Sequence, residues 1–461
     1  MMQWVDIFGQ PVRAADRQTG EAWDAMALAF LAHGRATPTH LATVLARDPG
    51  LALAQAVKGL FCLLLGRREM VQTAREAQAA AHAALPDRPA CPREGGLVAA
   101  LDAWLAGDPG AAVAAVERVL ARHPDDTLAM KIGHGIRFVL GDAAGMRGSI
   151  ERVLPAYAAD HPGFGYLLGC HAFALEETGD YARAATAGRL GLGLAPDDAW
   201  GLHAVAHVHD MTGDARGGIA WLSGREAAWA QCNNIRYHVW WHRALLHLDL
   251  GEMDAVLDLY DSAVRPERTD DYRDIANATS LLMRLELDGV DVGGRWDELA
   301  DLSARRTEDG CLVFADLHYL LALVGGDRAA AAAQLMARMH RTAAEGASAA
   351  GRLTAHPGLA AAQGLRAFGA GDYAGAYRHL ARARGALRGI GGSHAQRDVF
   401  ERMTIDAAIR AGFFDDARRH LAERRALRAG RLDGYAEARL ALIAAARPGA
   451  AARDARQGAA L

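Results

Sequence analysis

The sequence predicts an all-α protein of tetratricopeptide-type helical-hairpin repeats that form a curved or closed superhelix. Three observations carry this. A Gly followed by an acid recurs after apolar helical segments, at Gly107-Asp108, Gly141-Asp142, Gly179-Asp180, Gly213-Asp214, Gly251-Glu252, Gly326-Asp327 and Gly371-Asp372. The first five are 34, 38, 34 and 38 residues apart, and a period of about 34 is that of a tetratricopeptide repeat. Strand signals are nearly absent, with no alternating β-branched runs and aromatics at only 7%. With 461 residues, the chain also exceeds the roughly 250–300 residues at which one compact core stops growing.

Residues 1–90 read as an N-terminal helical region without a clear repeat, ending at the prolines Pro86, Pro89 and Pro92. Residues 91–262 form the regular repeats. There each Gly suits the left-handed end of a first helix, and the acid after it sits where the dipole of the second helix favours negative charge. In GDPGAAVAAVERVLARHPDD the apolar face is Val113, Val116 and Val119, stopped by Pro124; in GDYARAATAGRLGLGLAPDD it is Tyr181, Ala185 and Leu190, stopped by Pro196. Residues 263–443 read as divergent C-terminal hairpins, interrupted by GVDVGGRW and GIGGSH. Residues 444–461, AAARPGAAARDARQGAAL, have too few anchors to pack and are expected to be a flexible tail.

Composition narrows the function classes. Hydrophobic residues make up 51% and charged residues 23%, the balance of a folded protein. A net charge of -4 offers no positive field for nucleic acid or an anionic membrane. The basic side chains are almost all Arg, with Lys58 and Lys131 the two lysines. Cys62, Cys91, Cys170, Cys232 and Cys311 are dispersed, poor material for a disulfide framework or a thiolate zinc site. There is no basic region followed by an apolar run at the N-terminus, and no run of the roughly 18 apolar residues a span requires. The expectation is a cytoplasmic protein with neither membrane nor nucleic acid as partner.

The candidate centre is the stretch from Trp200 to Asp249. In DAWGLHAVAHVHDMTG, His203, His207 and Asp210 follow i, i+4, i+7 spacing and share one helical face, with His209 off it. In NNIRYHVWWHRALLHLDLG, His238 and His242 are again i, i+4, with Asp249 further along the stripe and His247 off it. Such a pair lets one helix offer two imidazoles to a metal. No Glu follows the first His, so the HExxH pattern is not met. A four-imidazole divalent-metal site from His203, His207, His238 and His242 remains open, as does acid–base use of the same residues. Against both stands the ordinary reading, in which a helical His satisfies a backbone carbonyl. Clustering of buried polar groups, which costs free energy, weighs for function. Trp240 and Trp241 are adjacent and cannot both face inward, so one is expected in a groove or interface. Asp316 and His318 in CLVFADLHYLLALVG and Glu176 in HAFALEETGD are polar residues on apolar helices. GGSHAQRDVFER gathers Gln396, Arg397 and Asp398 in a Gly-hinged loop, or else marks a helix start capped by Ser393.

In HPDDTLAMKIGHGIRFVLGD, APDDAWGLHAVAHVHDMTG, YHVWWHRALLHLDLGEMDAVLDLYD, GVDVGGRW, VFADLHYLLA and GGSHAQRDVF the chain resembles the tetratricopeptide repeat protein 38 family. The likeness runs in order over most of the chain and is weakest in the first 90 residues and the tail. It implies the helical-repeat fold and places His134, His203, His207, His209, His238, His242, Asp316, His318, Gln396, Arg397 and Asp398 at motif positions. At 394 this chain has His where animal members are expected to have Asn. The resemblance supplies no reaction.

The leading expectation is an internal His-lined pocket that binds, and by hydrolysis or group transfer transforms, a small polar molecule. His203, His207, His238, His242, Asp316 and His318 are its candidate catalytic residues; His134, Glu176, Trp241, Gln396, Arg397 and Asp398 are its candidate binding residues. Asp210 or Asp316 would orient an imidazole, and Arg397 would hold an anionic group. The competing expectation is a scaffold for a peptide or protein partner, the usual work of such repeats. A third is that the histidines pack a homo-oligomer.

Overall fold

The computed structural model describes residues 2–85, 91–346 and 348–446. Pro86, Pro89 and residues 447–461 of the expected tail lie outside them. The chain opens with an antiparallel β-hairpin, β1 (Met2–Val5) and β2 (Pro11–Ala14), in which Trp4 faces Val12. The sequence, in which strand signals are nearly absent, does not announce this hairpin. Four-residue strands give too short an alternation to read. The hairpin is held instead by its turn, where Asp6 Oδ1 accepts the amides of Phe8 and Gln10, and by burial of Phe8 and Val12.

Helices then pair in sequence order. They are α1 (Arg17–Leu31) with α2 (Thr37–Arg47), α3 (Ala52–Leu64) with α4 (Arg68–Ala84), α5 (Pro92–Leu105) with α6 (Pro109–Leu120) and α7 (Thr127–Val139) with α8 (Ala143–Val153). Next come α9 (Phe164–Glu177) with α10 (Tyr181–Leu194), α11 (Ala199–Met211) with α12 (Ala215–Leu222) and α13 (Ile235–Asp249) with α14 (Met253–Leu259). The C-terminal half continues through α15 (Tyr272–Leu287), α16 (Arg295–Ala304), α17 (Val313–Gly325), α18 (Ala329–Ala344), α19 (Ala349–Leu353) and α20 (Leu359–Gly369). It ends with α21 (Tyr373–Arg384), α22 (His394–Arg410), α23 (Phe414–Leu427) and α24 (Gly434–Ala445). The N-terminal region, which showed no repeat in sequence, is therefore also built of helical hairpins. The protein is an all-α helical-repeat superhelix.

The turns follow the expected chemistry with one shift. Gly107, Gly141, Gly179, Gly213, Gly251 and Gly371 all take positive φ. The side chains of Asp108, Asp142, Asp214 and Asp372 cap the following helix by accepting an amide three residues on. At Gly326-Asp327 the left-handed residue is Asp327, with φ 53°.

The face expected for α10 is also rotated. Leu190 is 54% exposed, and Ala184, Gly188 and Gly191 turn inward instead. The reason is proximity. A Cβ on Gly188 would fall 2.5 Å from Val205 Cγ2, and one on Gly191 would fall 2.8 Å from the Gly165 carbonyl oxygen. Tight approach of α10 to α9 and α11 outweighs burial of one leucine.

The superhelix closes on itself. The C-terminal ends of the inner helices α7, α9, α11 and α13 all meet the segment 388–434. A Cβ on Gly391 would lie 2.4 Å from the Val139 carbonyl oxygen, so the two backbones abut. Glu177 accepts the His394 amide at 2.6 Å and Arg397 Nη2 at 3.1 Å. Arg428 donates to the Asp210 carbonyl at 2.6 Å, and the Gly434 amide to Asp249 Oδ1 at 2.7 Å. At the other end, the Asn233 amide donates to the His33 carbonyl at 2.7 Å, and Arg306 bridges to Glu69 at 2.8 Å. Among the described residues no helix is long and apolar enough to cross a membrane.

Candidate functional site

Closure leaves a cavity of about 440 Å³ inside the ring, lined mostly by the first helix of each hairpin. Its walls are largely aromatic and aliphatic: Phe30, Phe61, Phe138, Phe173, Trp200 and Phe314 among others. Polar groups line it too, among them Lys131 and His134 from α7, His203 from α11, His238 from α13 and Asn277 from α15, with Arg35 and Arg273 as further cations. The apolar share of this lining sets the chemistry of what fits, and the expected small polar ligand would meet only its polar groups.

The two i, i+4 histidine pairs meet, as the spacing predicts. His203 and His207 on α11 face His238 and His242 on α13, with ring centroids between 4.2 and 6.5 Å apart. His203 and His238 reach the cavity wall; His207 and His242 sit behind them, buried. His238 Nε2 and His242 Nε2 are 3.1 Å apart. The outer nitrogens have fixed partners: His203 Nδ1 donates to the Trp200 carbonyl at 2.6 Å, and His238 Nδ1 to Asn277 Oδ1 at 3.1 Å. His207 is buried with neither ring nitrogen hydrogen-bonded. Beyond it, 3.5 Å from His207 Nδ1, lies the fully buried Glu176 carboxylate, with neither oxygen hydrogen-bonded.

Burial dominates the electrostatics. It holds His203, His207 and His242 well below the usual imidazole range, each pushed further by its neighbours in the set, and lowers His238 to about 4. All four are therefore uncharged lone-pair donors at neutral pH, suited to act as bases or ligands and not as proton donors. Burial raises Glu176 well above the ordinary carboxylate range, and the adjacent Glu177 raises it further. Glu177 goes the other way: burial opposes its ionisation, but His394 and Arg397 outweigh it.

The remaining expected residues are distributed unevenly. His134 lines the cavity and accepts Trp200 Nε1 at 3.2 Å. Gln396 also lines it, while closing a capping box with Ser393, so the loop is a capped helix start that the chamber borrows. Trp241 is fully buried, stacked on His238 at 5.2 Å; Trp240 lies against Trp229 nearer the surface. His209 and His247 turn away to Asp214 and Glu252.

The other expected residues have partners of their own. Asp210 and Asp316 orient no imidazole, since Asp210 binds Arg428 and Asp316 binds Arg338; the Trp200 carbonyl and Asn277 do that work. Arg397 donates to Glu177 and to the Gly391 and Gly392 carbonyls, so it helps close the ring and stands outside the cavity lining. Asp398 is enclosed by Arg402 and Arg424. His318 stands apart from the quartet, with Nδ1 donating to the Phe314 carbonyl at 2.8 Å.

Sequence reasoning missed Lys131, His33 and Asn277. Lys131 Nζ sits 5.0 Å over the Trp200 ring and 3.6 Å from Cys170 Sγ, and the His33 ring stacks on Trp200 at 5.5 Å. Rarity marked Lys131, one of two lysines. Asn277 was marked by the polar run NATS within an otherwise buried helix.

A scan of protein-family models finds none that matches. Among solved structures the chain is similar to the human IFIT1 dimer with PPP-AAAA, at 12% identity over 95% of this chain and 96% of that one, with a TM-score of 0.39. It is also similar to Naa15/Naa10 bound to HypK-THB, at 13% identity over 89% and 63% with a TM-score of 0.26. The P58(IPK) TPR domain matches at 14% identity over 82% and 95% with a TM-score of 0.21.

Proposed function

We propose that the protein binds a small, largely apolar molecule carrying one anionic group inside the closed superhelix. The carrying observation is the cavity of about 440 Å³ within the ring, with largely aromatic and aliphatic walls and with Lys131, His203, His238 and Asn277 in its polar lining. Apolar walls supply most of the affinity, and a few polar groups orient the ligand. Lys131 is buried and has no carboxylate within ion-pair distance, so it offers the anion contact. His203 and His238, the two of the quartet that reach the cavity, form the reactive wall. Its uncharged imidazoles favour activation of water, and so hydrolysis or a related group transfer, over proton donation. His134 and Gln396 complete the binding surface. We place the protein in the cytoplasm, where five unpaired cysteines are at home, and assign it to the tetratricopeptide repeat protein 38 family on the segments quoted above.

The test uses 1-anilinonaphthalene-8-sulfonate, an aromatic anion of the proposed kind, titrated by fluorescence. The native protein takes up one equivalent saturably. Lys131→Met weakens that about tenfold, the value of roughly 1.4 kcal/mol for a lost charge contact. Equal binding by Lys131→Met and by a cavity-blocked variant (Gly135→Phe, below) overturns the reading and leaves a peptide-binding scaffold in its place.

A further inference from the structure

The ring nitrogens of His203, His207, His238 and His242 gather in one buried space between α11 and α13. The Trp200 carbonyl and the Asn277 side-chain oxygen only accept, so His203 and His238 carry their protons on Nδ1 and present lone pairs at Nε2. At the centre, one ring nitrogen from each of the four residues lies within 4.8 Å of the others. The nearest pair, His238 Nε2 and His242 Nε2, is 3.1 Å apart. Two ligands of a tetrahedral ion with metal–nitrogen bonds of roughly 2.0–2.1 Å stand about 3.3 Å apart, so this pair needs almost no movement. His207 supports the same conclusion independently, because it is buried with neither nitrogen hydrogen-bonded. Buried polar atoms are nearly always paired. So does Glu176, fully buried, unpartnered at both oxygens and 3.5 Å from His207 Nδ1.

We propose that these four histidines bind one divalent first-row transition ion, with Glu176 as the carboxylate behind His207. His242 Nε2, which otherwise donates to His238 Nε2, gives up that proton so that both lone pairs turn to the ion. Glu176, held towards its neutral form by burial and by Glu177, ionises beside the cation to supply the negative charge that four neutral imidazoles lack, and takes the second-sphere place that a ligating His ordinarily gives to a carboxylate or carbonyl. Trp200 and Asn277 already hold that place for His203 and His238. All-imidazole donors select zinc, copper, nickel or iron over magnesium and calcium. The neighbouring set Glu176, Glu177 and His207 is the weaker alternative, since Glu177 is engaged by His394 and Arg397. Binding of the ion stands on these side chains alone. Only its use by a cavity ligand rests on the function proposed above, for which His203 and His238 would place it against the chamber.

The experiment is titration of chelator-stripped full-length protein with Co(II), read by visible absorption, and with Zn(II) against a chromophoric chelator. The expected result is one equivalent of either ion, with the intense Co(II) bands of a tetrahedral nitrogen site. In His207→Gln/His242→Gln the affinity falls more than 100-fold, and in Glu176→Gln it falls about 10–100-fold, the usual loss when such a partner is removed. Far-ultraviolet circular dichroism checks the fold of each variant. If the double variant does not fold, Glu176→Gln and the native Co(II) spectrum decide. No stoichiometric uptake by the native protein overturns the proposal. So does unchanged uptake in the folded double variant, which would place the metal on other histidines. The sulfonate titration on the same samples keeps the two readings apart, because loss of metal with retained probe binding leaves the cavity function standing.

Discussion

Gly135 gives a way to fill the chamber without weakening the fold. It lies in the interior of α7 and lines the cavity. A Cβ there would meet Leu64 Cδ2 and Cδ1 at 3.5 and 3.6 Å, ordinary van der Waals contact. Nothing must move, and the glycine's conformational entropy in the unfolded chain is removed. Gly135→Ala should therefore raise the unfolding free energy by about 1 kcal/mol, the helix-interior difference between the two residues. Gly135→Phe should keep most of that gain while its ring occupies the space beside Leu64 and Phe138. Gly59 is the control. It sits in α3, where a Cβ would fall 2.5 Å from Leu101 Cδ2, so Gly59→Ala should cost about 1–3 kcal/mol by overpacking. Urea unfolding followed by circular dichroism measures all three, and the sulfonate titration measures the cavity. Two results would refute the reasoning: Gly135→Ala destabilised like Gly59→Ala, or Gly135→Phe binding the probe as the native protein does.

Other expectations follow from the closure contacts and buried charges. Glu177→Ala strands the Arg397 guanidinium, only 11% exposed, and should lower the unfolding free energy by about 3–5 kcal/mol in urea titration; a loss under about 1 kcal/mol would mean the ring is closed by other contacts. Arg428→Ala removes the bonds to the Asp210 carbonyl and carboxylate and should speed amide exchange at the C-terminus of α11, while unchanged protection there would count against the contact. His318 is buried and lowered from 6.5 to about 4, chiefly by burial and also by Arg284, so its contribution is full above pH 6.5 and is lost as pH falls from there towards 4. At pH 5 the loss is about 2 kcal/mol, and the stability difference between native protein and His318→Gln should shrink by that amount between pH 7.5 and 5; parallel pH profiles would show that His318 is not held neutral.

The sequence made some of this legible, and physical reasons mark where it stopped. The paired histidines could be read because i, i+4 spacing fixes a helical face, and the 34/38-residue alternation placed α11 beside α13. Lys131, His33, Asn277 and Phe314 come from segments far apart in sequence. They share a chamber only because the superhelix closes, and no local periodicity encodes closure. Arg397 and Asp210 show the same limit, since each looked like an unclaimed charge until closure supplied Glu177 and Arg428 as partners, while Asp398 is met by Arg402 one turn on and by Arg424 on the next helix. The exposed Leu190 shows the limit of reading a face from apolar residues alone. In α10 small residues set the packing distance, and the glycines at 188 and 191 were the stronger signal.

The most direct measurement is mass spectrometry of the small molecules released on denaturing natively purified protein, comparing the native chain with Gly135→Phe prepared from the same cells. The account predicts a largely apolar species with one anionic group that accompanies the native protein at up to one equivalent and is missing from the variant. Identical extracts from the two proteins, with the variant folded, would contradict it.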